Sequence, residues 1–202
     1  MRRETIYDEV YDAQENFRLL LDSMARPGKI NVLPDMDILP PTGINKSSTL
    51  IALSLLNADA SFISIATNNQ EITTYLALNT GATVASINTA DYIFLNGDQA
   101  PALIDGAKHG NLSYPEESST LIIDVNKISI SPILNAVQLI LKGPGIETET
   151  VVYIDGINPH LLQAIKELNL EFPLGIDLML TDKQNNLICI PRSNRFVYST
   201  FN

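Results

Sequence analysis

The stretch Phe172–Arg192, FPLGIDLMLTDKQNNLICIPR, sets two strongly apolar runs on either side of a short polar segment. Gly175–Thr181 and Leu187–Arg192 are apolar on both faces, which fits strands covered on each side and not a sheet with one wet face. Between them, Asp182-Lys183-Gln184-Asn185-Asn186 supplies the Asp and Asn of a turn, so an antiparallel hairpin is predicted. Its register decides what meets at the strand ends. An even loop with Asp182 opposite Leu187 sets Asp177 opposite Arg192 on one face. An odd five-residue loop pairs Asp177 with Pro191 and turns Arg192 to the other face. Both registers are open at this level.

A hairpin apolar on both faces needs covering layers, and the rest of the chain supplies them. Asp12–Met24 carries Phe17, Leu20, Leu21 and Met24 at helical spacing, and Arg26-Pro27-Gly28 stops that helix. Arg18 stands one turn from Asp22, placed for a surface pair. Lys29–Leu33 reads as a short strand and the proline-rich segment after it as a loop. Ser47 or Ser48 caps a helix over Thr49–Leu56. Strands are predicted at Ser61–Ile65, Asp91–Leu95, Thr120–Val125 and Val137–Lys142, and helices at Glu71–Leu78, Pro101–Lys108 and from Pro159 onward with Asn158 as cap. Strands and helices interleave, so the expected fold is one α/β domain over residues 1–202, a three-layer α/β/α sandwich around a mixed sheet.

Composition narrows the function. Thirteen Lys and Arg against 23 Asp and Glu give a formal charge of −10, which disfavours attraction to nucleic acid or an anionic membrane. The single cysteine, Cys189, lies in an apolar strand and provides neither a disulfide framework nor a zinc or iron-sulfur ligand set. No segment is long and apolar enough to span a membrane, and a cytoplasmic location is expected. His109 and His160 form no metal-binding pattern, no GxSxG elbow is present, and no lysine stands out for Schiff-base chemistry. No metal and no cofactor is expected.

Four residues remain as candidates for a ligand site: Arg192, Asp177, Gly143 and Gly145. Asp177 and Arg192 sit among apolar neighbours where unpaired charge is costly, so they are expected to pair if the register allows it, as a structural lock or as the wall of a pocket. Gly143-Pro144-Gly145 is the one glycine-rich turn at a strand end, but Pro144 lacks the N–H that a phosphate cradle uses and acidic residues follow it. A rigid turn between strands is the simpler reading. No catalytic residue is identified.

Four segments together resemble one family. They are DAQxxFRxLLxxMxxPG at Asp12–Gly28, LxGPGI from Leu141 to Ile146, FPLGIDLMLTD at Phe172–Asp182 and IPR at Ile190–Arg192. In this order and spacing they resemble the PhnH family, the H subunit of the bacterial carbon-phosphorus lyase core complex. The resemblance implies phosphonate catabolism, in a complex of the α-D-ribose 1-methylphosphonate 5-triphosphate synthase type with G, I and J subunits. It also implies a fold like that of pyridoxal-phosphate-dependent transferases without the cofactor, a homodimer, and a structural or accessory role not catalytic alone. The alternatives are a phosphonate- or nucleotide-phosphate-binding protein and, less favoured, a pyridoxal-phosphate enzyme. One departure lies at Asn79, where the family pattern has a histidine before the threonine.

Overall fold

Continuous apolar runs along the central strands give each strand two buried faces, and the fold follows from what covers them. The structure is a computed structural model that describes residues 7, 8 and 10–200. In chain order its elements are α1 (Tyr11–Ala25), β1 (Asn31–Val32), α2 (Lys46–Leu55), β2 (Ser61–Ser64), α3 (Asn69–Thr80), β3 (Thr83–Val84), β4 (Tyr92–Asn96) and β5 (Thr120–Asp124). They continue as β6 (Lys127–Ser129), β7 (Val137–Lys142), β8 (Thr150–Asp155), α4 (Pro159–Leu168), β9 (Asp177–Thr181), β10 (Asn186–Ile190) and β11 (Arg195–Thr200).

A seven-stranded mixed sheet runs in the order β1-β10-β9-β5-β4-β2-β3. From β3 to β9 neighbours are parallel, and β10 and β1 add an antiparallel edge. One face packs Phe62, Phe94, Ile122, Met179 and Cys189 against Leu20, Leu50, Ile51, Ile72 and Leu76 of the first three helices. Phe62 and Phe94 meet edge to face with ring centroids 6.2 Å apart. Buried there, the Cys189 thiol is pushed well above its usual range by desolvation.

The opposite face corrects the expected α/β/α sandwich. Ile93, Leu95, Leu121, Ile123, Leu178 and Leu180 are covered by Leu139, Leu141, Val152 and Ile154 together with Leu161, Leu162 and Ile165 of α4. The third layer is therefore a four-stranded antiparallel sheet, β11-β7-β8-β6, with one helix beside it. β7 buries one face only, as its alternating burial shows, which suits antiparallel pairing. No strand was expected at Arg195–Thr200, and the strand implied after the Gly143–Gly145 turn, without bounds, is β8.

Several local expectations also change. Asp22 pairs with Arg26 and, at 2.6 Å, with Lys29, and not with Arg18. The helix expected over Pro101–Lys108 is a single 3-10 turn at Pro101–Ile104. Gly106, at φ +82°, has already left helical geometry. Ser47 and Ser48 do not cap α2. The helix starts three residues earlier than expected, at Lys46 after Asn45, and both hydroxyls turn inward, Ser47 to the Asp182 carbonyl at 3.1 Å and Ser48 to the Asp124 carboxylate. Asn158 does cap α4, accepting the His160 N–H at 2.9 Å.

In α1, Leu20 is buried as expected, but Phe17 and Leu21 are 43% and 53% exposed, while Asn16 and Ser23 face the core. The Asn16 side chain is fully buried, and neither its amide nitrogen nor its oxygen has a hydrogen-bond partner among the described residues. Leucine has the same branching without the polar atoms, so Asn16→Leu is expected to stabilise the fold by about 1–2 kcal/mol. Urea denaturation measures this, and a loss of stability would show that the buried amide is favourable.

The hairpin has the odd register. Leu187 faces Thr181 and Ile190 faces Leu178, a count that continues to Pro191 opposite Asp177. Asn185 adopts a left-handed φ of 63°, and with Lys183 and Gln184 it closes a tight turn of the kind that carries a left-handed third residue. Asp182 secures the turn, its carboxylate accepting Gln184 N–H at 2.9 Å and Asn186 N–H at 3.1 Å. It also accepts the Ile128 N–H at 2.9 Å, which ties β6 of the second sheet to the first.

Candidate functional site

The parallel part of the main sheet is doubly wound. From β2 the chain moves outward through α3 to β3, and then crosses to β4 on the other side of β2. The connections at the carboxyl ends of β2 and β4 therefore diverge, which opens a crevice at this switch point, the usual ligand position of open α/β sheets. Asn96, the last residue of β4, spans the opening. Its oxygen accepts Thr67 N–H at 2.8 Å and its amide donates to the Gly43 carbonyl at 3.1 Å. A cavity of about 320 Å³ lies here, lined among others by Asn45, Asn96, Asp98, Asp124, Asn126 and Lys183.

Asp124, at the end of β5, forms the floor. One carboxylate oxygen accepts the Ser48 hydroxyl and, at 2.9 Å, the Thr181 hydroxyl, and the other accepts the Asn45 backbone N–H at 2.7 Å. These partners come from the start of α2 and the end of β9, so the carboxyl is held from two elements. Burial pushes its pKa up to about 6, partly offset by the hydrogen bonds from Ser48, Asn45 and Thr181, which favour the ionised form. The Asn45 side chain lies near enough to add slightly to that effect, yet its buried amide nitrogen makes no well-formed hydrogen bond with the described residues. Lys183, Asp98 and Asn126 stand exposed at the rim.

The four residues expected from sequence lie elsewhere. Asp177 and Arg192 do pair, in spite of the odd register, because β10 ends at Ile190 and Pro191 redirects the chain. Arg192 Nη2 donates to Asp177 Oδ2 at 2.6 Å, its Nε to Oδ1 at 3.3 Å, its backbone N–H to Oδ1 at 2.8 Å and its Nη1 to the Pro115 carbonyl at 2.6 Å. The pair borders a cleft of about 470 Å³ at the amino ends of the parallel strands, with Asp59, Asp91 and Glu116 also around it. Gly143 and Gly145 sit in the β7–β8 turn, against the end of α1 and the segment after Arg192. A Cβ on Gly145 would stand 2.3 Å from the Ala25 carbonyl, and Pro144 accepts the Asn194 amide at 3.0 Å. The turn packs two pieces of the fold together.

Asp124, Ser48, Thr181 and Asn45 were not anticipated. The one local signal was an aspartate closing the apolar run Thr120–Asp124, which places a carboxylate at the carboxyl end of a parallel strand. Among the described residues, no group of three or more His, Cys, Asp and Glu is arranged to hold a metal ion, and no helix is long and apolar enough to cross a membrane.

The class the structure defines is an open, doubly wound α/β protein with a polar crevice at its switch point and an antiparallel sheet on one face. Residues 5–197 match the family described as bacterial phosphonate metabolism protein, PhnH. The chain belongs to the PhnH family. It is 30% identical over 190 residues to the α-D-ribose 1-methylphosphonate 5-triphosphate synthase subunit PhnH of Rhizobium meliloti (strain 1021), covering 93% of this chain and 92% of the relative. It is also 26% identical over 181 residues to the putative C-P lyase subunit protein HtxG of Stutzerimonas stutzeri, covering 89% and 83% of the two chains.

Proposed function

We propose that this protein is an accessory subunit of a carbon-phosphorus lyase complex in phosphonate catabolism, acting in the cytoplasm as a homodimer that docks onto the G, I and J subunits. The observation that carries this reading is the family match across residues 5–197, with both relatives named as complex subunits and covered over most of their length. The site geometry is compatible with it. The most buried ion pair, Asp177–Arg192, is bonded to itself and to the Pro115 carbonyl, and the switch-point crevice has one anchored carboxylate with no histidine or cysteine among its lining residues. The fold is read as related to pyridoxal-phosphate-dependent transferases without the cofactor, a reading supported by the mixed seven-stranded sheet.

Co-expression with the three partner subunits, followed by affinity capture on one of them, is expected to bring down this chain in a fixed ratio. Light scattering of the isolated chain is expected to give twice its 22.2 kDa mass. A chain that never co-purifies with the other subunits overturns the reading.

A further inference from the structure

We propose that the switch-point crevice binds a neutral hydroxyl-bearing ligand, a sugar or the sugar portion of a nucleoside, through the Asn45 amide and the Asp124 carboxylate. This does not depend on membership of a complex. Three independent features converge on the crevice. It lies where neighbouring connections of a doubly wound sheet diverge, its volume of about 320 Å³ is at the low end of small-molecule clefts, and its floor carries unsatisfied hydrogen-bonding capacity.

That capacity has a definite pattern. Asp124 Oδ1 already accepts two hydroxyls, whereas Oδ2 has one well-formed bond, from the Asn45 backbone, and a carboxylate oxygen accommodates two donors. Beside it, the Asn45 side-chain nitrogen is buried without a well-formed partner. A spare acceptor next to a spare donor is the complement of a hydroxyl, which donates one hydrogen bond and accepts another. Asn126 and Asp98 at the rim extend the same donor and acceptor set to neighbouring hydroxyls. A phosphate or other anion meets two carboxylates here, with Lys183 as the one lysine or arginine on the lining. The lining charges, two carboxylates and one exposed ammonium, partly offset one another, so the donor and acceptor pattern at Asn45 and Asp124 is left to select the ligand.

The test is amide-resolved NMR of the full chain titrated separately with D-ribose, uridine, uracil, inorganic phosphate and putrescine. Ribose and uridine, or uridine alone, are expected to shift saturably the signals of Gly43–Asn45, Asn96–Asp98 and Asn126. Response to both identifies the sugar itself as sufficient, and response to uridine alone identifies a nucleoside. Asn45→Ala removes a donor that has no well-formed partner among the described residues, so folding is kept while affinity falls roughly fivefold, the worth of one hydrogen bond. Lys183→Ala is expected to leave affinity within about twofold, since a neutral ligand gains little from an exposed ammonium. The proposal is overturned if neither sugar probe shifts these signals at about 10 mM, weaker than any Kd of functional interest for a small ligand. It is equally overturned if uracil, phosphate or putrescine does so in their place, or if Asn45→Ala binds as tightly as the parent.

Discussion

Replacing Arg192 with alanine is expected to lower the unfolding free energy by about 3 kcal/mol, the loss that follows when one partner of a largely buried ion pair is removed. Both side chains are 16% exposed, so the Asp177 carboxylate would be left largely dehydrated without its counter-charge. The Pro115 carbonyl would lose its 2.6 Å donor at the same time, which releases a second segment from the hairpin. Asp177→Ala is expected to cost a similar amount, since it strands the guanidinium and removes the acceptor of the Arg192 backbone N–H. The two changes share one interaction, so the double variant should be more stable than the sum of the single losses predicts, by about 1–3 kcal/mol. Urea unfolding of the four proteins at neutral pH measures all three quantities. A loss below about 1 kcal/mol for Arg192→Ala would place the pair with ordinary surface ion pairs and remove its role as the clasp of the hairpin.

That clasp also shows what was readable in advance. The pairing of Asp177 with Arg192 was predictable from two charges in apolar surroundings, because burial leaves such groups little choice but each other. The route to it was not. DKQNN closes with an even or an odd count, and only the left-handed geometry of Asn185 decides for the odd one. Pro191 then ends the strand and returns Arg192 to Asp177 from outside the ladder. The central strands were legible because runs such as Leu121–Ile123 are buried on both sides, and the hairpin for the same reason. Of the second sheet only β7 was legible, as the strand expected at Val137–Lys142. Thr150–Asp155 and Arg195–Thr200 mix apolar and polar residues, and β7, the strand both pair with, lies far from β11 in sequence. In α1 the apolar spacing was real, yet Phe17 and Leu21 point outward while Asn16 takes a core position. The switch-point crevice was least accessible to sequence reasoning. Asp124 gains its environment from Asn45, Ser48 and Thr181, residues 79, 76 and 57 positions away, and no local pattern announces that meeting.

Asp124 makes the second large prediction, a pH dependence opposite in sign to that of most carboxylates. Its ordinary value is 3.8 and burial raises it to about 6 in the folded chain. Between these values the native state holds a proton that the unfolded chain releases, so stability falls as pH rises through the window. The contribution is fully present below about pH 4 and lost above about pH 6. The difference between 3.8 and about 6 corresponds to about 3 kcal/mol. Asp22 and Asp91 act in the other direction: Lys29 and Asn31 hold the Asp22 carboxyl below the usual range, and at Asp91 burial pushes upward but is outweighed by Lys108 and Ser61. The profile of the parent alone therefore mixes opposing trends. Comparison with Asp124→Asn separates them, because those distant groups are common to both proteins. Asparagine keeps an oxygen for the Ser48 and Thr181 hydroxyls but turns its amide toward the Asn45 N–H, which adds an offset independent of pH. The difference in unfolding free energy, variant minus parent, is expected to rise by about 2–3 kcal/mol from pH 4 to pH 7, measured by urea unfolding at half-unit steps. A flat difference would mean that Asp124 is ionised throughout this range, and that the hydrogen bonds from Ser48, Thr181 and Asn45 outweigh the cost of burying its charge.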